Sequence, residues 1–158
     1  MSTEATPLVV GLFVAPATGA PIETCDDVVL VEGAGVAGDR YATKRGYWSD
    51  PKWPDQELTF VEAEVAEALG IEPGALRRNV VVRGARLDEL IGARFTLGEA
   101  LIEGVRPCDP CAHIEQVNAR PGLLKELAGR GGLRARIVRG GRVRVGDALT
   151  VVATAPLP

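Results

Sequence analysis

The chain has 158 residues, 46% hydrophobic and 25% charged, with a formal net charge of -3 and a pI near 5.3. That composition fits one folded domain with its own core and excludes a disordered chain; it also supplies no global basic field to hold a nucleic acid or an anionic membrane. Three cysteines are an odd number, so a complete disulfide framework is excluded, and reduced thiols in a cytoplasmic protein are expected.

Taken in chain order, "PLVVGLFVAPA" has no basic flank and falls short of the roughly 20 apolar residues that cross a bilayer, so it predicts a first strand over Leu8 to Ala15. "VVLVEGAGVAGD" (Val28 to Asp39) is β-branched and punctuated by glycine, again strand-like. Thr43 to Glu57 carries both tryptophans, Trp48 and Trp53, without periodicity, which predicts a long loop that walls a site or caps a barrel end. In "LTFVEAEVAEALG" the Thr59 and Glu62 spacing suits a capping box, with Val61, Val65, Ala68 and Leu69 as an apolar stripe and Gly70 as the stop; a helix is predicted.

"RRNVVVRG" (Arg77 to Gly84) reads as a buried strand, and "LDELIG" (Leu87 to Gly92) as a single turn. "ARFTLGEALIEG" predicts a hairpin about Gly98 and Glu99. "PGLLKELAGRGG" predicts a helix that starts near Pro121, lays Leu123, Leu124 and Leu127 on one face and stops at Gly129. "GRVRVGDALTVV" (Gly141 to Val152) predicts a second hairpin about Gly146 and Asp147. Many short strands with few helices argue for a mainly β barrel or sandwich rather than a parallel α/β sheet.

Chemistry concentrates in "GVRPCDPCAHIE", where Cys108, Cys111 and the only histidine, His113, lie within six residues. Three functional readings compete. A zinc clamp has three ligands here but no paired half-site, since Cys25 is remote. A C-x-x-C dithiol lacks the strand-then-long-helix context of that motif. A single working thiolate would draw on Arg106, on His113 on the same side of an extended backbone as Cys111, and on the stiffening prolines Pro107 and Pro110. Against all three stands the possibility that both cysteines are inert, buried small hydrophobes; spacing alone leaves the choice open. Fifteen arginines stand against three lysines, and Arg77 and Arg78 adjoin Asn79, a cluster suited to bidentate recognition of phosphate or carboxylate.

"GVAGDRY" (Gly35 to Tyr41), "LTFVEAEVAEAL", "LRRNVVVRG" (Leu76 to Gly84), "LIGARFTLGEALIEGVRPCDPCAHIE" (Leu90 to Glu115) and "GRGGLRARIVRGGRVRVGDAL" (Gly129 to Leu149) follow one another in an order that resembles small stand-alone MOSC domain proteins. The resemblance implies a single MOSC domain over 1–158 with its core at about 9–152, folded as a mainly β, MOSC-type β-barrel with a few short peripheral helices. It implies binding of the molybdenum cofactor (molybdopterin), with Cys111 as molybdenum ligand or sulfur acceptor and Cys108 as a neighbour of open role. Cys111 and His113 are then the catalytic candidates, and Asp39, Arg40, Arg78, Asn79 and Arg106 the cofactor-binding ones. Tyr41 stands where relatives often have histidine, which removes an imidazole proton donor from that position.

Pyridoxal phosphate is not expected, because no desulfurase domain fits and Lys44, Lys52 and Lys125 lack a phosphate-binding context. The leading expectation is an oxidoreductase that reduces small N-hydroxylated compounds. Its electrons would come from a separate donor protein, since no flavin, haem or iron–sulfur motif is present. The alternatives are a sulfur or cofactor carrier working through a Cys111 persulfide, served by a sulfur donor protein, and a non-catalytic interaction module.

Overall fold

The computed structural model describes residues 6–15, 21–39, 57–108, 121–127 and 130–153. Its strands are β1 (Leu8–Val14), β2 (Glu23–Cys25), β3 (Asp27–Val31), β4 (Gly35–Val36), β5 (Leu58–Glu62), β6 (Val80–Arg83), β7 (Arg94–Leu97), β8 (Ala100–Pro107), β9 (Leu133–Arg139), β10 (Gly141–Arg144) and β11 (Leu149–Ala153). Two short α-helices, α1 (Ala63–Leu69) and α2 (Leu123–Glu126), and two 3-10 turns, η1 (Pro73–Leu76) and η2 (Leu87–Leu90), complete the described elements. Eight strands make one sheet in the order β11-β7-β8-β9-β5-β6-β1-β2, and three make a small one in the order β10-β3-β4. The large sheet curls into a half-barrel, mainly antiparallel with β5 and β6 parallel. The curl brings β1 against the segment before β11: Val9 N donates to Asp147 O at 2.9 Å and Leu149 N to Pro7 O at 2.9 Å.

Alternation along each strand sorts the side chains between two cores. Leu12 and Val14 of β1, Leu58 and Phe60 of β5, Val80 and Val82 of β6, and Leu133, Ala135 and Ile137 of β9 fill the concave side, where Phe60 meets Phe95 of β7 edge to face at 5.7 Å. The alternate residues Phe13, Val61 and Val81 point to the convex side, where α1, α2 and η1 cover them. This double burial explains why β5, β6 and the end of β1 read as continuous apolar runs. The valine triplet Val80 to Val82 is fully buried on both faces. Leu123 and Leu127 of the α2 region are buried in the second core, whereas the Leu124 side chain and Gly129 lie outside the described residues.

Several predicted elements change in the structure. Thr59 and Glu62 do not form a capping box: Leu58–Glu62 is a strand, and α1 begins only at Ala63, with Glu62 at its N-cap making no side-chain cap bond. The β-formers Thr59, Phe60 and Val61 gain more from pairing between β6 and β9 than an isolated first helical turn returns. On the helix, Val65 and Ala66 are buried while Ala68 is exposed, and Gly70 ends it in the left-handed conformation as expected. Val28 to Asp39 divides into β3 and β4 around a turn at residues 32–34.

The hairpin about Gly98 and Glu99 forms. The one about Gly146 and Asp147 does not: its turn exists, closed by Asp147 N to Arg144 O at 3.0 Å, but β10 pairs with β3 and β11 with β7. Alternation fixes which face a residue takes and leaves the pairing partner to the rest of the fold. No helix among the described residues is long and apolar enough to cross a membrane.

Candidate functional site

Strand β8 delivers Cys108, the first cysteine of the C-x-x-C, to a position with no solvent exposure. Its backbone is held from two sides. Cys108 N donates to Gly132 O at 2.8 Å, which ties the end of β8 to the start of β9. Arg78 donates from a terminal nitrogen to Cys108 O at 3.4 Å and from Nε to Gly131 O at 3.0 Å. One guanidinium therefore joins the end of β8 to the segment that begins β9. Gly132 permits this approach: its φ is +119°, and a Cβ there would overlap the carbonyl oxygen of Phe60. The thiol of Cys108 sits as a small hydrophobe in a buried place.

Asn79 follows Arg78 and precedes β6, buried to 2% exposure. Its Oδ1 accepts from Thr59 N and Thr59 Oγ1, both at 3.2 Å, and its Nδ2 donates to Phe13 O at 3.2 Å. Asn79 N donates to Thr59 Oγ1 at 3.1 Å, and its carbonyl receives Phe13 N at 2.8 Å. The amide thus stitches β5 to β1 through β6. Asp39 plays a related part: wholly buried, it accepts Ala15 N on Oδ1 at 3.0 Å and so fixes the end of β1 beyond β4. Asp39 and Asn79 both grip the last residues of β1, and Arg78 extends that framework to Cys108.

Arg106 lies two residues before Cys108 on β8 and is in register with Arg134 of β9, so the two guanidinium-bearing residues are cross-strand neighbours. Arg134 is buried to 5% exposure, although the alternation of β9 sends it to the same face as the exposed Arg136. Arg77, also buried, caps η1 with φ of 59°, the sole non-glycine positive φ among the described residues. Arg106 and Arg134 are thus neighbours across β8 and β9 close to the strand end whose Cys108 carbonyl Arg78 reaches.

In the sequence, Thr59 and Glu62 take a helix-capping role and Arg134 takes none. Thr59 was obscured by the helical reading of its segment, and Arg134 by an alternation that marks it as solvent-facing. Arg40, Cys111 and His113 lie outside the described residues, as do Trp48 and Trp53. Of the segment Thr43 to Glu57 only Glu57 is described: it is buried and accepts Ile137 N on Oε1 at 2.8 Å. Among the described residues no group of three or more His, Cys, Asp or Glu side chains is placed to hold a metal ion.

A small curled β-sheet with Cys108 buried at a strand end narrows the class, and comparison with known proteins gives the family. The MOSC domain family model matches residues 53–150, and the chain belongs to that family. The fold is similar to that of the YuaD protein from Bacillus subtilis, with a TM-score of 0.75 at 22% identity over 97% of this chain and 99% of that one. It is also similar to YiiM from Geobacillus stearothermophilus (TM-score 0.68, 20% identity, 92% of this chain and 75% of that one). YiiM from Escherichia coli gives a TM-score of 0.66 at 20% identity, over 94% of this chain and 72% of that one. No curated protein sequence matches the chain.

Proposed function

We propose that this MOSC domain binds the molybdenum cofactor through Cys111 as molybdenum ligand and works as an oxidoreductase that reduces small N-hydroxylated compounds. The observation that carries the reading is the Arg78 bridge: it connects the arginine-asparagine motif before β6 to the backbone of Cys108, three residues from Cys111. The donor chemistry fits the group. A soft thiolate is an apt added ligand for a metal already held by sulfur, and Arg78 and Arg106, near the end of β8, are the cations that would face the phosphate. Asn79 and Asp39 serve by holding β1, β5 and β6 in place, since their hydrogen bonds run to Thr59, Phe13 and Ala15.

When bound, the group supplies two-electron redox chemistry. The overall reaction converts R–NHOH with two electrons and two protons to R–NH2 and water, the electrons coming from a separate donor protein. In this reading Cys108 is held in place at the end of β8 and Cys111 works.

Metal analysis of protein made in a host that synthesises the cofactor tests the proposal. Stoichiometric molybdenum is expected in the wild type and in Cys108→Ser, and its loss in Cys111→Ser. Equal loss from both single variants would replace the single-thiolate reading with a dithiol. Cyanide-labile sulfur without molybdenum would point to a persulfide carrier, and the absence of both to an interaction module.

A further inference from the structure

A cleft of about 350 Å³ lies where the end of β5, the η2 turn and the start of β9 meet. It falls within the range of small-molecule sites, roughly 300–1,000 Å³. Leu87, Ile91 and Pro107 give it an apolar lining; two carboxylates, Glu62 and Asp88, and two guanidinium groups, Arg86 and Arg130, supply its charge. The balance of charge argues against a simple cation or anion as the occupant.

Glu62 is the unusual member. It stands at the N-cap of α1, where a Ser, Thr, Asp or Asn would cap the helix for about 0.5–2 kcal/mol, yet its side chain forms no cap bond. Instead it turns toward η2, where Oε2 accepts Leu87 N at 3.4 Å, and no described residue donates to Oε1. Burial raises the pKa of this carboxyl most; Glu64 and Asp88 add to the rise, while the Leu87 N–H and Arg86 oppose it. A half-buried carboxyl that keeps one oxygen open beside a cleft is poorly explained by the fold. Among the described residues Arg130 donates from Nε alone, to Glu126 O at 3.0 Å, and Arg86 is held loosely by Glu89 at 3.8 Å.

We propose that this cleft binds a small zwitterion of amino-acid type, its cationic N–H head on Glu62 and Asp88 and its carboxylate on Arg86 and Arg130. The apolar stem of the ligand lies against Leu87, Ile91 and Pro107. Binding requires ionised Glu62, so affinity rises with pH as that carboxyl loses its proton. Pro107, Gly131 and Gly132 also line the cleft, so it adjoins the strand end held by Arg78; recognition of the zwitterion rests on Glu62 and the charges around it and not on the proposed cofactor.

Calorimetric titration with L-arginine as the probe tests this, on the wild type, Glu62→Gln and Arg130→Ala, with thermal melts to show that each variant is folded. Saturable one-to-one binding is expected, weakened at least tenfold by Glu62→Gln and severalfold by Arg130→Ala. Methylguanidine and acetate, each carrying one half of the charge pattern, should bind at least tenfold more weakly than arginine. The absence of saturable binding up to about 10 mM, or equal affinity in the wild type and Glu62→Gln, would overturn the site. Methylguanidine binding as tightly as arginine would overturn its zwitterionic character.

Discussion

Strands β5, β6 and the end of β1 are covered on both faces, whereas β7, β8 and β9 bury one face and carry a row of charges on the other. In the first region the polar side chains are part of the framework: Thr59 and Asn79 are buried and bonded to each other and to Phe13. In the second, Glu103 receives Arg94 Nε at 3.0 Å and Arg136 Nε at 2.9 Å, on side chains that are 25–51% exposed. The same polar chemistry is structural where water is excluded and marginal where it is not. The candidate site lies at the seam, where Arg78 reaches from the start of the doubly covered β6 to the end of the singly covered β8.

Truncation should separate the regions by size of effect. Phe60→Ala removes a ring with no exposure from the concave core and breaks its contact with Phe95, so a loss of about 3–5 kcal/mol is expected in denaturant titration. Asn79→Ala leaves Thr59 N and Phe13 O without their buried partner; each such group costs about 1–3 kcal/mol, so a loss above about 2 kcal/mol should appear. A loss below 1 kcal/mol would mean that the doubly covered half admits water.

Arg78→Ala probes the seam. Losing charge-assisted hydrogen bonds costs about 1.5–3 kcal/mol, and molybdenum retention should fall further than in Arg139→Ala, which removes an exposed arginine from β9. Matched retention in the two variants would reduce Arg78 to a structural brace. On the charged row, Glu103→Gln should cost less than about 1 kcal/mol, and added salt should shrink the difference.

Acid titration sharpens the contrast through two glutamates with opposite shifts. Arg136, then Arg94, holds the Glu103 carboxyl below the usual carboxylate range despite some burial. Its contribution is therefore present above the unfolded value of about 4.3 and is lost as pH falls through the lower folded value. Glu62 is shifted upward by burial, so the folded state favours its protonated form. The protein should lose stability as pH rises from about 4.3 through that raised value. Glu62→Gln should match the wild type in acid and gain a small advantage toward neutral pH; a constant difference across the range would show that the Glu62 carboxyl is solvated in the fold.

Much of this molecule was legible in one dimension. Val80 to Val82, flanked by Asn79 and Arg83, announces a central strand, and Gly98 with Glu99 a hairpin, because side-chain period and turn chemistry are local properties. The order of motifs from Gly35 to Leu149 likewise carried the family. Other outcomes depended on partners distant in the chain. Thr59 to Glu62 has the letters of a helix cap and becomes a strand because β6 and β9 flank it. The residues about Gly146 turn as expected, yet hand the chain from one sheet to another because Val28 and Val29 of β3 take the place that β11 would fill. The burial of Arg134 and the reach of Arg78 to Cys108 likewise belong to tertiary packing: a sequence pattern states which face is apolar, and the fold decides what lies across from it.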